Sequence, residues 1–180
     1  MFSRDVFTPT SNKIYLEKSS DMLRESWPRL RPADNKDCES IARLVYRVLK
    51  EYGLKPDPAC TDVDIKDIES SYFNRGGTFV VLEAEDGSVV GAYGLYPMDE
   101  QICELRKMYL DKAHRGKGLG KFLLEDALSK ARELGFERMI LETATVLIEA
   151  ITLYKSYGFV EYNPPHMSSR CDQAYMLELK

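Results

Sequence analysis

The apolar positions of this chain change period several times, and each change marks an element. RLRPAD reads as a short strand running into a helix start, with Asp34 placed to cap it. Ile41, Leu44, Val45, Val48, Leu49 and Tyr52 then recur at helical spacing until Gly53, which predicts an amphipathic helix. After the loop LKPDPAC, the stretch DVDIKDIESSYFNRGG carries a weaker helical pattern that stops at Gly76 and Gly77. TFVVLEAEDGSVVGAYGLYP holds two β-rich runs around Asp86-Gly87, a pair that suits a tight hairpin turn. QICELRKMYL is a third strand, placed centrally. Leu119, Phe122, Leu123, Ala127, Ala131 and Leu134 mark one helix face closed by Gly135. FERMILET is a strand, IEAITLYKSYG a helix ended by Gly158, and DQAYMLELK a last strand. Strand, two helices, three strands, helix, strand, helix, strand is the order of an α/β chain. Residues 1–27 lack clean periodicity and read as an N-terminal arm, with one short helix around SSDMLRESW, ahead of a single domain over residues 28–180.

Composition narrows the class. A length of 180 residues suits one core, and 44% hydrophobic with 30% charged residues fits a soluble globular protein. The start MFSRDVFTPTSNK lacks the apolar core of a secretion signal and no apolar run spans a bilayer, so a cytoplasmic location is expected. A formal net charge of -4 argues against nucleic-acid and membrane partners. Cys38, Cys60, Cys103 and Cys171 are scattered, with two histidines in the whole chain. They read as reduced thiols rather than two disulfides, and no metal site is expected. Against this acidic background, Lys112, Arg115, Lys117 and Lys121 lie in a carboxylate-free stretch. A small anionic ligand would suit it.

That stretch opens the run HRGKGLGKFLLEDAL. Glycines at 116, 118 and 120 lead into a helix whose first N–H groups have no intrahelical partner, where the macrodipole favours an anion. A nucleotide P-loop fails, because Gly120-Lys121 is followed by Phe122 and the earlier glycine is missing. A dinucleotide fingerprint also fails, because the spacing is G-x-G-x-G. Arg115, Gly118 and Gly120 do resemble the acyl-CoA motif of the GNAT superfamily of N-acyltransferases: Arg or Gln, two variable residues, Gly, one variable residue, then Gly or Ala. The flanks extend the likeness. CELRKMYLDKAHRGKGLG resembles the family's fourth strand entering its phosphate loop, LYKSYGFVEY its last helix end, and RLRPAD its first strand and turn. The resemblance spans residue 28 to the C-terminus and points to small bacterial-type acetyltransferases. It departs at Leu147, where many relatives carry Asn.

The resemblance implies a mixed, mostly antiparallel sheet of six to seven strands flanked by about four helices. It also implies acetyl-CoA as acyl donor, no metal, and direct attack by the primary amine of a small molecule or amino acid in a ternary complex. Arg115, Gly116, Lys117, Gly118, Leu119, Gly120 and Lys121 would hold the donor's phosphates. Backbone N–H groups of Met108, Tyr109 and Leu110, freed by a local bulge, would meet its pantetheine arm or thioester oxygen. Tyr154 matches the family tyrosine that protonates the departing thiolate, a role a phenol can fill because it stays protonated at neutral pH. Glu104 is the candidate base; pairing with Arg106 is the equal alternative, and some relatives use a water chain.

His114 reads as a loop packing residue, His166 as a loop residue near the acceptor, and Tyr72, Phe73, Tyr93 and Tyr96 chiefly as core. Asp99, Glu100 and Glu104 would favour a cationic acceptor. The competing functions are a noncatalytic acyl-CoA sensor and a protein lysine or N-terminal acetyltransferase. A homodimer is compatible with all three.

Overall fold

The computed structural model describes residues 27–179. The expected helix around SSDMLRESW lies outside them, apart from Trp27. The elements are β1 (Arg29–Pro32), α1 (Cys38–Glu51), α2 (Ile68–Ser71), β2 (Thr78–Glu83), β3 (Val89–Pro97), β4 (Ile102–Leu110), α3 (Leu119–Glu133), β5 (Arg138–Thr143), α4 (Ile148–Ser156), β6 (Val160–Glu161) and β7 (Gln173–Glu178). They build a seven-stranded sheet in the order β1-β2-β3-β4-β5-β7-β6. Every pairing is antiparallel except β4 beside β5. Among the described residues no helix is long and apolar enough to cross a membrane. All four cysteines are free thiols.

Two elements differ from the sequence expectation. The weak helix before Gly76 is broken into a 3-10 turn at Val63–Lys66, the single α-turn α2, and a second 3-10 turn at Phe73–Arg75. Asp67 breaks it: its backbone is extended (φ -148°, ψ 89°), and its side chain accepts from Ser70 N at 3.0 Å to restart the helix. The second difference is β6, two exposed residues that pair with Met176 and Tyr175 of β7. So short and solvated a strand has no hydrophobic signature.

Both sheet faces are covered. Leu119, Leu123, Leu124, Ala127, Leu128 and Ala131 of α3 pack with Leu82, Tyr93, Leu95, Leu105, Met139 and Leu141 on one side. Ile41, Leu44, Val45 and Leu49 of α1 pack with Tyr72, Phe79, Val81 and Ala92 on the other. Each leucine, isoleucine, valine, methionine or phenylalanine among them contributes about 1.5–3 kcal/mol when taken out of water. At the entry to α1, Asp34 accepts from Lys36 N at 2.8 Å, and Asp37 accepts from Asp34 N at 3.0 Å and from Arg31 of β1 at 2.7 and 2.8 Å. These bonds fix the angle between β1 and α1.

The sheet is interrupted once within β3 and β4. Gly94 pairs with Arg106 and Ala92 with Tyr109, so Tyr93 alone faces both Lys107 and Met108. Lys107 has φ 53°, the one non-glycine residue with positive φ among those described. The extra residue shifts the phase of β4: Leu105, Met108 and Leu110 all pack on the α3 side, while Tyr109 packs on the α1 side and Lys107 reaches Asp62 and Asp64. Under strict alternation Lys107 would point into the α3 core.

Gly94 lies against the same strip. A Cβ there would come within 2.5 Å of Tyr72 Cε1 and 2.8 Å of Phe79 Cδ2, both in fully buried rings. Gly94→Ala is expected to destabilise the fold by about 1–3 kcal/mol through overpacking, measured as a lower urea midpoint at unchanged slope.

Candidate functional site

β4 and β5 pair only from Ile102↔Arg138 to Glu104↔Ile140 and then part. The bulge explains where they part, since an inserted residue bends and twists its strand. The gap is a cleft of about 980 Å³, lined by β4 from Glu104 to Leu110, the glycine loop, the start of α4 and the loop before β7.

One end of the cleft is the start of α3. Asp111 ends β4, caps the turn Lys112–His114 by accepting from Ala113 N at 3.0 Å, and pairs with Arg47 of α1 at 2.7 Å. Gly116 (φ 74°) and Gly118 (φ 82°) then take left-handed conformations that only glycine adopts without strain, and Gly118 caps α3. No side chain caps α3 and no acidic residue lies in its first turn. Its N–H groups and dipole therefore face the cleft unopposed. A Cβ built on Gly116 meets nothing within 4 Å, one on Gly118 meets only Trp27 at 3.9 Å, and one on Gly120 only Leu153 at 3.8 Å. Among the described residues the space in front of the loop is open, as a phosphate-bearing donor needs.

The basic residues act differently from one another. Arg115 is a structural clasp as much as a charge: Nε donates to Leu110 O at 2.9 Å, and Nη1 reaches Glu51 at 2.8 Å and Tyr52 Oη at 3.4 Å. Its buried Nη2 has no hydrogen-bond partner among the described residues, and Arg115 lines the cleft. Lys117 donates to Ala113 O at 3.1 Å, away from the cleft, and Leu119 is 2% exposed in the core. Leu119 can offer only its backbone. Lys121 lines the cleft with its ammonium 3.7 Å from Glu125.

The middle of the cleft is the β5-side edge of β4. Beyond Glu104 that edge has no strand beside it, and Met108, Tyr109 and Leu110 line the opening. Tyr154 of α4 also lines it while lying 6% exposed against Phe159. Burial, then the neighbouring Tyr109, push its phenol well above the ordinary value. It stays protonated at neutral pH and is a weaker acid than a free phenol. Leu147 caps α4 without a side-chain hydrogen bond and lines the cleft as an apolar wall.

Acidic groups gather at the far end. Glu104 is 8% exposed and accepts from Arg106 Nε at 2.6 Å. Glu104 therefore both lines the cleft and pairs with Arg106. Burial raises its pKa, Arg106 opposes the rise, and Glu142 adds to it. Arg106 lies flat over Tyr96, 3.8 Å from the ring centroid. Glu142 of β5 accepts from Ser168 N at 2.9 Å, which ties the loop carrying His166 to the cleft.

Other candidates fall elsewhere. Tyr72 and Tyr93 are core residues bonded to Asp64 at 2.6 Å and Asp126 at 2.5 Å, and Phe73 packs against the α1-side cluster. His114 sits 3.8 Å from Asp111, outside the cleft lining. Asp99 accepts from Gln101 N and Ile102 N at 2.8 and 2.7 Å, and Glu100 is exposed beside it, so both belong to the turn before β4. Glu142, Lys107, Asp62 and Arg170 were not singled out from sequence. Glu142 was within reach, because the alternation in RMILET sets it on the face of Ile140, the partner of Glu104. Asp62 and Arg170 lie 108 residues apart and carried no local signal.

Comparison with known proteins agrees with this geometry. The acetyltransferase (GNAT) family profile matches residues 41–159. The uncharacterized N-acetyltransferase YjgM of Escherichia coli is 42% identical over 137 residues, 73% of this chain and 81% of that protein. A GNAT-family acetyltransferase from Staphylococcus aureus superposes with a TM-score of 0.79 at 25% identity, over 84% of this chain and 99% of the other. The Salmonella typhimurium protein yncA, solved with acetyl-CoA, superposes at 0.66 and 24% identity over 85% and 94%.

Gly120 provides a test of the open space. A methyl group there meets only ordinary contact, so Gly120→Ala should keep both melting temperature and acetyl-CoA affinity. Gly120→Leu should keep the melting temperature and lose about tenfold or more in affinity, about 1.4 kcal/mol, by isothermal titration.

Proposed function

The chain belongs to the GNAT acetyltransferase family, and on that premise we propose that it transfers the acetyl group of acetyl-CoA to the primary amine of a small molecule, by direct attack with both substrates bound. The observation that carries this reading is the order of groups along one cleft. An uncapped helix N-terminus comes first, then the unpaired bulged edge of β4, then a buried carboxylate. When bound, acetyl-CoA supplies an activated acyl group on a thioester.

The protein's own groups meet the three demands of the reaction. The loop from Arg115 to Lys121 and the first N–H groups of α3 would hold the phosphates, drawing on charge and on the helix dipole. The backbone N–H groups along Met108–Leu110 that β3 leaves free would polarise the carbonyl, the kind of fixed dipole whose loss costs about 10²–10³ in rate. Tyr154 would donate its proton to the leaving sulfur. Glu104 would accept the proton of the amine, with Glu142 helping to attract the ammonium form.

The small size of the acceptor is supported by a bridge. Arg170, from the loop before β7, donates twice to Asp62 at 2.8 Å and to Lys55 O at 3.3 Å, which joins the two loops at the acceptor end. A polypeptide acceptor would need a groove that this bridge crosses.

Thiol release from acetyl-CoA, followed over a panel of primary amines, tests the reading; no amine-dependent release across the panel would contradict it. Tyr154→Phe should lower turnover on the order of 10²-fold and leave acetyl-CoA affinity unchanged. The pH profile tests Glu104. A base must be ionised, and its raised pKa makes it take up its proton at a higher pH than a free carboxyl. Accordingly kcat/KM should fall as pH drops through a value above about 4.3, the ordinary Glu value. Glu104→Gln should remove that limb along with most of the rate.

A further inference from the structure

We propose that Lys107 is a positioning residue: its buried ammonium, clasped by Thr61, Asp62 and Asp64, holds β4 in the bulged conformation that turns the Met108–Leu110 edge into the cleft. The inference rests on the transfer reading above.

A left-handed backbone at a non-glycine residue costs about 1–3 kcal/mol and persists only where the surroundings over-determine it. Glycine would take φ 53° without that cost, yet lysine occupies the site. The side chain supplies the surplus. Its ammonium donates to Thr61 O at 2.7 Å and lies 3.2 Å from both Asp62 Oδ1 and Asp64 Oδ1, with the side chain 5% exposed. The two carboxylates are themselves fixed. Asp62 accepts twice from Arg170 and once from Asp57 N at 2.8 Å, and Asp64 accepts from Tyr72 Oη at 2.6 Å. Burial opposes ionisation of Asp62, but the Arg170 bonds, the Asp57 N–H and the Lys107 charge outweigh it and hold its pKa at about 2.

Lys107 thus lies between Asp62 and Asp64, and Arg170 pairs with Asp62 from the other side. Arg106 and Lys107 are consecutive, yet one lies over Tyr96 and the other reaches Asp62 and Asp64 on the same side of the sheet. If Lys107 released its partners, the strand could return to strict alternation, and Met108 and Tyr109 would exchange faces. Stability alone does not account for such a cluster, since well-packed apolar residues often replace a buried ion pair without loss. The clasp fixes which backbone groups meet the cleft.

The test reads the carbonyl directly. In the full chain saturated with [1-¹³C]acetyl-CoA, isotope-edited infrared spectroscopy should show a carbonyl stretch lowered from that of the free thioester. In Lys107→Met the stretch should move back toward the free value, with acetyl-CoA affinity within about threefold, since the glycine loop is untouched. Turnover with the best amine of the panel should fall about tenfold or more, a part of what losing an oxyanion donor costs. Lys107→Arg should restore most of both. A purely structural lysine would change the melting temperature and leave the stretch alone.

If Lys107→Met does not fold, Asp64→Asn decides: it keeps an acceptor for Tyr72 and leaves Asp62 to Lys107, and an intermediate stretch is expected. A wild-type stretch in folded Lys107→Met, or in Asp64→Asn where the first variant is unfolded, overturns the inference and leaves the transfer reading standing. Failure of the wild-type chain to bind acetyl-CoA removes both.

Discussion

The extra residue in β4 is the constraint on which the cleft depends. A strand in the middle of a sheet normally spends both edges on hydrogen bonds. Here β3 keeps its pairing on one side across the bulge, while pairing to β5 stops after Glu104. The freed edge is rigid because Leu105, Met108 and Leu110 stay anchored in the α3-side core and Tyr109 in the α1-side core. A flexible loop could expose the same N–H groups, but it would have to be ordered at each encounter with ligand. Fixed dipoles carry no such reorganisation cost at the moment of reaction.

The charges follow the same geometry. An uncapped helix start and open space lie at one end of the cleft, and Glu104 and Glu142 at the other, with the strand edge between them. Most formal charges in the cleft are already partnered: Arg115 with Glu51, Arg106 with Glu104, and Arg170 with Asp62. In the proposed complex, selectivity for an anionic donor would therefore lean on backbone dipoles and on Nη2 of Arg115, which has no partner among the described residues, more than on free lysines. Membership of the GNAT family accounts for this layout in outline, and the ion pairs are how this chain realises it.

Much of this could be read from the chain before the fold was known, and the reasons are local. α1 and α3 announce themselves by spacing, the β2–β3 hairpin by Asp86-Gly87, and the donor loop by alternating glycines ahead of an apolar face. The β4 bulge also left a trace: in LRKMYL the apolar residues 105, 108 and 110 share a face only if one residue is inserted. Long-range pairing left none. Asp62 and Asp64 look like ordinary helix-surface acids until Lys107 and Arg170 are brought to them, which is why the segment before Gly76 reads as a helix and folds as broken turns.

In the proposed complex, the backbone N–H groups along Met108–Leu110 that β3 leaves free receive the donor carbonyl. The most direct measurement is the set of ¹H–¹⁵N amide shifts of the ¹⁵N-labelled protein, compared between complexes with CoA and with acetyl-CoA. The difference between the two complexes is expected to be concentrated in downfield amide shifts at Met108, Tyr109 or Leu110. Differences confined to other strands, with these three amides unmoved, would contradict it.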